Sequence, residues 1–220
     1  MSDMISLRID KLNRDDLVQS SFEYYEKLDK RRTTRELSDE EIPLEVLENL
    51  ILSAGTSPSG ANLQPWTFAL VRNKELKKLI RQEAEKIEKK SYEEQFSKEK
   101  LDDLKFTGLN WEKPFLEDAP ALIVVFKHKY RVDEEGNHHK IYYPNESIGI
   151  STGLLFSAIH NLGLCTIPYT PLPLTFIKRI LKRPENEAPF MILPIAYPKK
   201  SAKIPNKIRK SLEEIIVRYD

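Results

Sequence analysis

The chain has 220 residues, of which 40% are hydrophobic, so it can bury a substantial core, and one compact domain is more natural than two. Its 35 Lys and Arg residues nearly balance its 34 Asp and Glu residues, which excludes a global field that draws the protein to nucleic acid or membrane. The first sixteen residues contain no apolar stretch between their charges, so we expect no signal peptide, no membrane anchor and a cytoplasmic location.

Cysteine and histidine usage argues against disulfide and metal chemistry. The single cysteine, Cys165, excludes an intrachain disulfide, and we expect it to be a small core residue. His138 and His139 are adjacent, which is poor geometry for chelation by both, and His128 and His160 have no carboxylate or histidine at ligand spacing, so we predict no metal site. The chain also lacks the G-x-S-x-G elbow of many hydrolases, the G-x-G-x-x-G fingerprint of dinucleotide-binding folds and a P-loop.

The first two predicted elements are helices. Residues 12–28 are typical of a helix with a broken apolar stripe. Ser38 followed by Glu41 is a capping-box pattern, and Pro43 suits a first turn. This arrangement predicts a second helix from about residue 40 to 53.

A loop, a strand and a long helix follow. Residues 54–65 are rich in Gly, Ser, Pro and Asn and predict a loop, and residues 66–71 predict a strand. Asn73 is expected to cap a helix over about 74–90. Apolar periodicity weakens beyond this helix, so we expect residues 91–113 to be the most mobile ordered segment.

The second half predicts a buried strand and a strongly apolar helix. Ala121–Phe126 is a continuous apolar run, typical of a central strand that is buried on both faces. Asn145 is expected to cap a helix up to Leu162, in which Gly149 and Gly153 allow close approach by another helix. We also expect a strand over residues 164–169 and another over 190–196, with a helix between them. A charged helical tail is expected over about 208–218. Because helices and strands do not alternate regularly, the pattern favours an α+β fold.

A basic segment precedes the second helix. It combines three guanidinium groups with two hydroxyls in Arg31, Arg32, Thr33, Thr34 and Arg35. Guanidinium groups bind phosphate oxygens in a bidentate manner, so the segment can hold a phosphate. The alternative is a solvated basic turn.

The loop before the first strand contains a second candidate site, Pro58-Ser59-Gly60-Ala61, followed by Gln64-Pro65-Trp66. Glycine at position 60 allows the backbone to approach a planar ligand closely, and exposed amides can bind a ring carbonyl or a phenolate. The alternative is an ordinary connection between a helix and a strand.

Together these segments resemble those of the nitroreductase-like flavoproteins, in which an R-S-x-R element holds the FMN phosphate and a P-S-x-x-N-x-Q-P-W loop passes beside the isoalloxazine ring. RRTTR and PSGANLQPW stand in that order, and the resemblance covers roughly residues 30–217. It implies a nitroreductase-like α+β fold with a mainly antiparallel central sheet flanked by helices, in an intertwined homodimer. It also implies that residues 31–35, with Pro58, Ser59 and Gly60, bind FMN.

Glu88, Tyr92 and Lys113 narrow the resemblance. Glu88 and Tyr92 are four residues apart, so on a continuous helix they share one face. The three resemble the substrate lid of iodotyrosine deiodinases, in which a Glu, a Tyr and a Lys bind the amino-acid zwitterion. The carboxylate of Glu88 suits the ammonium group, while Lys113 and the hydroxyl of Tyr92 suit the carboxylate. The alternative is a solvated charged helix.

The same resemblance implies roles for residues near the C-terminal half. In deiodinase-like proteins a threonine before a proline lies near the flavin N5 and favours one-electron steps, and Thr170 before Pro171 matches it. Tyr169 and Pro168 stand beside it in the cofactor segment, but Pro168 occupies a position where the family carries a threonine. Ile204-Pro205 resembles a segment that returns a basic residue to the FMN phosphate, which makes Arg209 the first candidate, with Lys207 or Lys210 as alternatives.

The resemblance implies an FMN-dependent enzyme that removes halogen from halotyrosines, with the backbone amide of Ala61 at the phenolate oxygen. NAD(P)H is the expected electron donor, directly or through a separate flavin-reducing partner. The chain is expected to form one domain over residues 1–220. Within it we expect an N-terminal helical extension over residues 1–30, a mobile substrate lid over about 88–113 and a C-terminal arm over about 199–220.

Two other function classes stay open from the sequence. One is a broader NAD(P)H-dependent nitroreductase or quinone reductase, which has no need of a zwitterion clamp. The other is a nucleic-acid module that uses the arginines of residues 31–35 and the basic run at 127–131. Near-neutral charge and the absence of an RNP1-type aromatic motif count against nucleic acid.

Overall fold

The computed structural model describes residues 4–106, 110–206 and 208–219. The chain divides into two compact units between Arg32 and Thr33. The first unit contains α1 (Arg14–Asp29), which begins where the backbone N–H of Asp16 donates to the side-chain oxygen of Asn13 at 3.0 Å. This helix confirms the prediction for residues 12–28.

The second unit holds the remaining helices and strands. In chain order they are α2 (Leu44–Gly55), β1 (Trp66–Val71), α3 (Lys74–Lys90), α4 (Lys98–Phe106), α5 (Phe115–Asp118), β2 (Ala121–His128), β3 (Tyr130–Val132), β4 (His138–Lys140), α6 (Pro144–Asn161), α7 (Thr175–Ile180) and β5 (Glu187–Ile195). In the described ranges, no helix is both long and apolar enough to cross a lipid bilayer.

The core forms on both faces of an antiparallel sheet with the order β1-β2-β5. Side chains alternate along a strand, so β2 serves two layers. Leu122, Val124 and Phe126 join a cluster with residues of α3, α5 and α7, while Ile123 and Val125 join a cluster with residues of α2 and α6. The prediction of a central strand buried on both faces is confirmed, as is the α+β class.

The segment after α6 lies beside β5 without forming the strand that was predicted over residues 164–169. Among the residues that the structure describes, two isolated bridges connect it to its neighbour, Cys165 with Ala196 and Tyr169 with Ile192. Pro168 has no backbone N–H and so cannot donate to a continuous ladder. The segment is nevertheless fixed on the face that carries α3.

The second helix begins later than its sequence predicts. α2 begins at Leu44, after Pro43, and the expected capping box of Ser38 and Glu41 is absent. The backbone N–H of Ser38 donates instead to the carbonyl of Tyr197 at 2.8 Å, which keeps the chain extended up to the helix.

Two further predictions about helices are wrong. α6 begins at Pro144, so Asn145 lies in its first turn and accepts a hydrogen bond from Lys127 at 2.6 Å instead of capping the helix. The tail over residues 208–218 forms a single turn and no helix, and its apolar side chains Ile208, Ile215 and Val217 are exposed. Isolated helices of this length need packing against an apolar face, and these side chains have none.

Candidate functional site

A cavity of about 490 Å³ lies between the C-terminal end of α3, the helical segments that follow it and residues 167–172. Its apolar wall includes Ile87, Phe96, Phe115 and Ile167. Seven residues selected from the sequence line it together: Arg35, Glu88, Tyr92, Lys113, Pro168, Tyr169 and Thr170. Residues that lie far apart in the chain thus line one pocket, which is open at one edge.

The clamp residues meet because the helix continues past its expected end. α3 passes at Ser91 into a π-helical turn over Ser91–Gln95, which keeps Tyr92 beside Glu88. The ammonium nitrogen of Lys113 lies 3.7 Å from a carboxylate oxygen of Glu88 and 5.6 Å from the centre of the Tyr92 ring. The side chains of Lys113 and Glu88 are only 6% and 15% exposed, so this is a desolvated pair of opposite charges.

Burial sets the protonation behaviour of this group. It lowers the pKa of Lys113, and the neighbouring Glu88 acts in the opposite direction. Burial also raises the pKa of Tyr92, and Glu88 adds to that effect, so Tyr92 stays a neutral hydroxyl at neutral pH. The cavity therefore offers a carboxylate, an ammonium group and a hydroxyl donor side by side.

Glu85 fixes the backbone of Lys113, a role that the sequence reasoning missed. One carboxylate oxygen of Glu85 accepts from the backbone N–H of Lys113 at 2.7 Å and from the guanidinium of Arg81 at 2.8 Å. Arg81 also donates to Glu117 of α5 at 3.2 Å. The spacing was an available signal, because Glu85 lies one helical turn before Glu88 on the same face.

Arg35 presents a half-buried guanidinium group to the cavity. The backbone N–H of Thr34 donates to the carbonyl of Thr166 at 3.2 Å, which places Arg35 beside residues 166–170. Within the described part of the chain, Nε of Arg35 and Oγ1 of Thr166 are buried without a hydrogen-bond partner. Burial lowers the pKa of Arg35. Unpartnered buried donors such as these indicate a ligand that supplies acceptors.

Burial alternates along residues 167–171. Ile167 and Tyr169 are buried, whereas Pro168 and Thr170 are exposed at the edge of the cavity. Neighbouring side chains of an extended segment point to opposite sides. Thr170 and Tyr169 therefore serve different parts of the cavity.

The loop around Gly60 does not line this cavity. Pro58 and Ala61 are exposed, Ser59 and Gly60 are half-buried, and Ala61 has a φ of 51° within a short 3-10 turn. A Cβ at Gly60 would lie 2.9 Å from the carbonyl oxygen of Tyr142, so only glycine fits this contact. The predicted roles of these four residues in binding FMN or substrate stay predictions.

The other predicted phosphate contacts also lie outside the cavity lining. Arg31 and Arg32 belong to the first unit, where Arg32 donates to the carbonyl of Arg31 at 2.9 Å. Thr33 begins the second unit, and Arg209 is exposed in the tail. Lys207 is outside the described residues. Their contacts with a phosphate stay predictions.

Comparison with protein families matches residues 28–197 to the nitroreductase family. The iodotyrosine deiodinase of Haliscomenobacter hydrossis is 48% identical over 205 residues, which cover 93% of this chain and 92% of that protein. The chain belongs to the nitroreductase family, within its iodotyrosine deiodinase group. Human iodotyrosine deiodinase 1 is 39% identical over 92% of this chain and 70% of its own length.

Solved structures agree with this assignment. A crystal structure of oxidised iodotyrosine deiodinase bound to FMN and 3-iodo-L-tyrosine has a TM-score of 0.76 and 34% identity, and covers 90% of this chain and 98% of that one. A nitroreductase with bound FMN from Bacteroides fragilis has a TM-score of 0.65 at 19% identity, covering 89% of this chain and 99% of that one, and it shares the fold. The predicted nitroreductase-like fold is confirmed. Among the described residues, no cluster of three His, Cys, Asp or Glu side chains is arranged to hold a metal ion.

Proposed function

We propose that this chain catalyses the FMN-dependent reductive dehalogenation of a halotyrosine. The carbon–halogen bond of the ring breaks and a carbon–hydrogen bond forms, with two electrons and one proton consumed and the halide released with its electron pair. The observation that carries the proposal is the buried meeting of Glu88, Tyr92 and Lys113 in one cavity.

The clamp matches the three features of an amino-acid head group. Glu88 attracts an ammonium group, while Lys113 and the Tyr92 hydroxyl donate to a carboxylate. A zwitterion that enters between Glu88 and Lys113 replaces one buried ion pair with two, so neither charge is left alone in the cavity. A neutral aromatic molecule offers no such exchange, which favours amino-acid substrates over simple phenols.

The chemistry of the donors fits FMN. The buried, unpartnered Nε of Arg35 and Oγ1 of Thr166 suit the acceptor-rich edge of a flavin or its phosphate. Arg35 lines the cavity, and Thr170 lies at its exposed edge. When bound, FMN supplies the two electrons of the reaction. Thr170 would hold a hydroxyl at the cofactor, and the clamp would orient the substrate over it.

A homodimer would complete the site. The loop at residues 58–61 lies outside the cavity of its own chain, so the loop of a second copy would have to supply the amide of Ala61. α6 offers a contact face, because Gly149, Ile150, Gly153 and Leu154 are exposed along it, and no atom lies within 4 Å of a Cβ built on either glycine. Small residues of this kind allow close helix packing. Replacement of Leu154 by Glu should therefore shift the sedimentation coefficient to that of a monomer.

The proposed electron donor is NAD(P)H, either directly or through a separate flavin-reducing partner, in the cytoplasm. The fold supports this choice only by exposing one edge of the cavity, at Pro168 and Thr170, through which a reductant can reach a bound flavin. Anaerobic reduction with NADH or NADPH, followed in the flavin spectrum, distinguishes a direct donor from one that needs a partner.

The proposal is tested by anaerobic reduction of the FMN-loaded protein, then addition of diiodotyrosine. Reoxidation of the flavin with release of iodide is the expected result. Titration of the oxidised protein with iodotyrosine and with iodophenol gives the second measurement, and iodotyrosine should bind at least about a hundredfold more tightly because each charged contact contributes roughly 1.5 to 3 kcal/mol. Equal affinities, with rapid reduction of nitroaromatics, would instead identify a broad nitroreductase.

A further inference from the structure

Tyr169 is fixed in place by both its backbone and its ring. Its N–H donates to the carbonyl of Ile192 at 3.0 Å, and its carbonyl accepts from the N–H of the same residue at 2.9 Å. Its ring packs edge-on against Phe115, with ring centres 5.6 Å apart and planes 80° apart. The backbone N–H is therefore unavailable to a cofactor, and the hydroxyl is the hydrogen-bond donor that Tyr169 can offer to a ligand.

Within the described residues, no hydrogen bond of good geometry reaches the hydroxyl of Tyr169, although the Glu88 carboxylate lies near it, and the residue is only 5% exposed and lines the cavity. A buried hydroxyl without a partner costs about 1 to 3 kcal/mol. Burial raises the pKa of Tyr169, and the carboxylate of Glu88 raises it further. The group therefore remains a neutral hydroxyl that can donate one hydrogen bond and accept another.

The position of Tyr169 associates it with the clamp instead of the flavin edge. Thr170, the next residue, is exposed on the opposite side of the segment. Glu88 lines the cavity together with Tyr169, and its carboxylate raises the pKa of the hydroxyl, whereas Glu85 is outside the lining. A cation that enters beside Glu88 would thus come within reach of the Tyr169 oxygen.

The number of hydrogen-bond donors on an ammonium group requires more than one acceptor in the pocket. It carries three N–H donors, whereas the Glu88 carboxylate already faces Lys113 at 3.7 Å. Ser91 and Gln95, which also line the cavity, are hydrogen-bonded to each other at 3.2 Å. The unpartnered oxygen of Tyr169 can accept a hydrogen bond from an N–H of the substrate ammonium group that Glu88 does not bind.

We propose that the Tyr169 hydroxyl is part of the amino-acid pocket, where it accepts a hydrogen bond from the substrate ammonium and donates one to Glu88. This inference rests on the proposed function and adds a specificity-determining residue to it. Tyr92 and Lys113 would then serve the carboxylate, while Glu88 and Tyr169 serve the ammonium group. Removal of the hydroxyl should weaken amine recognition alone.

The experiment compares Tyr169→Phe with the unmodified FMN-loaded protein, using quenching of flavin fluorescence to measure dissociation constants. Three ligands are titrated: 3-iodotyrosine, its desamino analogue with a propionate side chain, and iodotyramine, which lacks the carboxylate. The variant should bind 3-iodotyrosine and iodotyramine about ten- to a hundredfold more weakly and the desamino analogue within about twofold. Tyr130→Phe, at a tyrosine outside the cavity lining, should change none of the three.

The outcomes separate this inference from the function on which it rests. If the unmodified protein binds 3-iodotyrosine and the desamino analogue equally, both the clamp and the role of Tyr169 are overturned. If it prefers 3-iodotyrosine and Tyr169→Phe retains that full preference, only the role of Tyr169 is overturned. A structural role predicts a lower melting temperature for the ligand-free variant, whereas loss of an unpartnered hydroxyl predicts an equal or higher one.

Discussion

Replacing Glu88 by Gln removes one charge from the clamp while keeping the shape of the side chain. At the 3.7 Å separation of Glu88 and Lys113, the Coulomb attraction of two unit charges is about 4.5 kcal/mol at an effective dielectric constant of about 20. Desolvation of both groups offsets part of this attraction. A charge-assisted hydrogen bond to the substrate ammonium thus contributes a net of about 1.5 to 3 kcal/mol, and the dissociation constant of iodotyrosine should rise about ten- to a hundredfold.

The same substitution should change the pH dependence of binding. Glu88 raises the pKa of Lys113 against the lowering effect of burial, so the pKa of Lys113 falls further when the carboxylate is lost. Lys113 then loses its charge at a lower pH than in the unmodified protein. Affinity for the substrate carboxylate should therefore begin to decline at a lower pH in Glu88→Gln.

Titration of the oxidised, FMN-loaded proteins between about pH 6 and pH 10 measures both effects. Glu94→Gln is the matched control, because Glu94 is 62% exposed on the same helical segment, outside the cavity lining. It removes the same charge without touching the clamp. If Glu88→Gln weakens iodotyrosine and its desamino analogue equally, Glu88 does not recognise the ammonium group and the reasoning fails.

Three further changes test the cofactor edge, the loop and the sheet. Thr170→Ala should lower the rate of iodide release at least about tenfold while nitroaromatic reduction is retained, because the hydroxyl beside the flavin is lost; stopped-flow kinetics with both acceptors measures the ratio. Gly60→Ala should destabilise the fold by about 1 to 3 kcal/mol, because its Cβ would lie 2.9 Å from the carbonyl oxygen of Tyr142; denaturant unfolding measures it. Glu187→Gln should lower the free energy of unfolding at pH 7 by about 1.5 to 3 kcal/mol and by less at low pH.

The pH dependence of the last change follows from the contacts of Glu187. Burial acts to raise the pKa of its carboxyl, but Arg183, with two hydrogen bonds of 2.7 Å, and Thr67 hold it below the ordinary 4.5. The stabilisation is therefore present above pH 4.5 and is lost as the pH falls through the lower folded-state pKa. Unfolding curves of both proteins should converge over that range.

Controls exist for the other two substitutions. Thr170→Ser keeps the hydroxyl and should restore dehalogenation, and a variant as slow as Thr170→Ala would show that the methyl group matters instead. Gly55→Ala in α2 has no atom within 4 Å of the new Cβ and should leave stability unchanged or raise it. Equal losses at Gly55 and Gly60 would contradict the packing argument.

Local sequence patterns correctly predicted the elements whose tertiary contacts favour the same structure as the local sequence does. β1 and α3 have the expected bounds, and Asn73 caps α3 as predicted, accepting from the N–H of Leu76 at 2.9 Å. The start of α2 was misplaced because the pairing of Ser38 with Tyr197 overrides a local capping pattern. The prediction of a C-terminal helix was wrong because apolar periodicity does not show whether the fold provides a surface against which the helix can pack.

The residues of the site also fall into those that the sequence predicts and those that only the fold reveals. Residues with distinctive chemistry at helical spacing, such as Glu88 and Tyr92, were predictable and do line the cavity. The spacing of Glu85 showed only that it shares a face with Glu88; its bond to the backbone of Lys113 and the role of the Tyr169 hydroxyl depend on what the fold brings beside them. The loop at Gly60 was recognisable from its sequence, yet its distance from the cavity could only be learned from the structure.

The bond from the backbone of Lys113 to Glu85 has a consequence for how the cavity opens. It ties the backbone of Lys113 directly to α3, the helix that carries Glu88, so one helix sets the positions of both charges of the clamp. Folding thus brings the two clamp positions together, so the entropy of closing the chain between them belongs to folding and not to substrate binding. Substitutions away from Glu85, Glu88 and Lys113 can therefore change affinity without moving the charges that recognise the ligand.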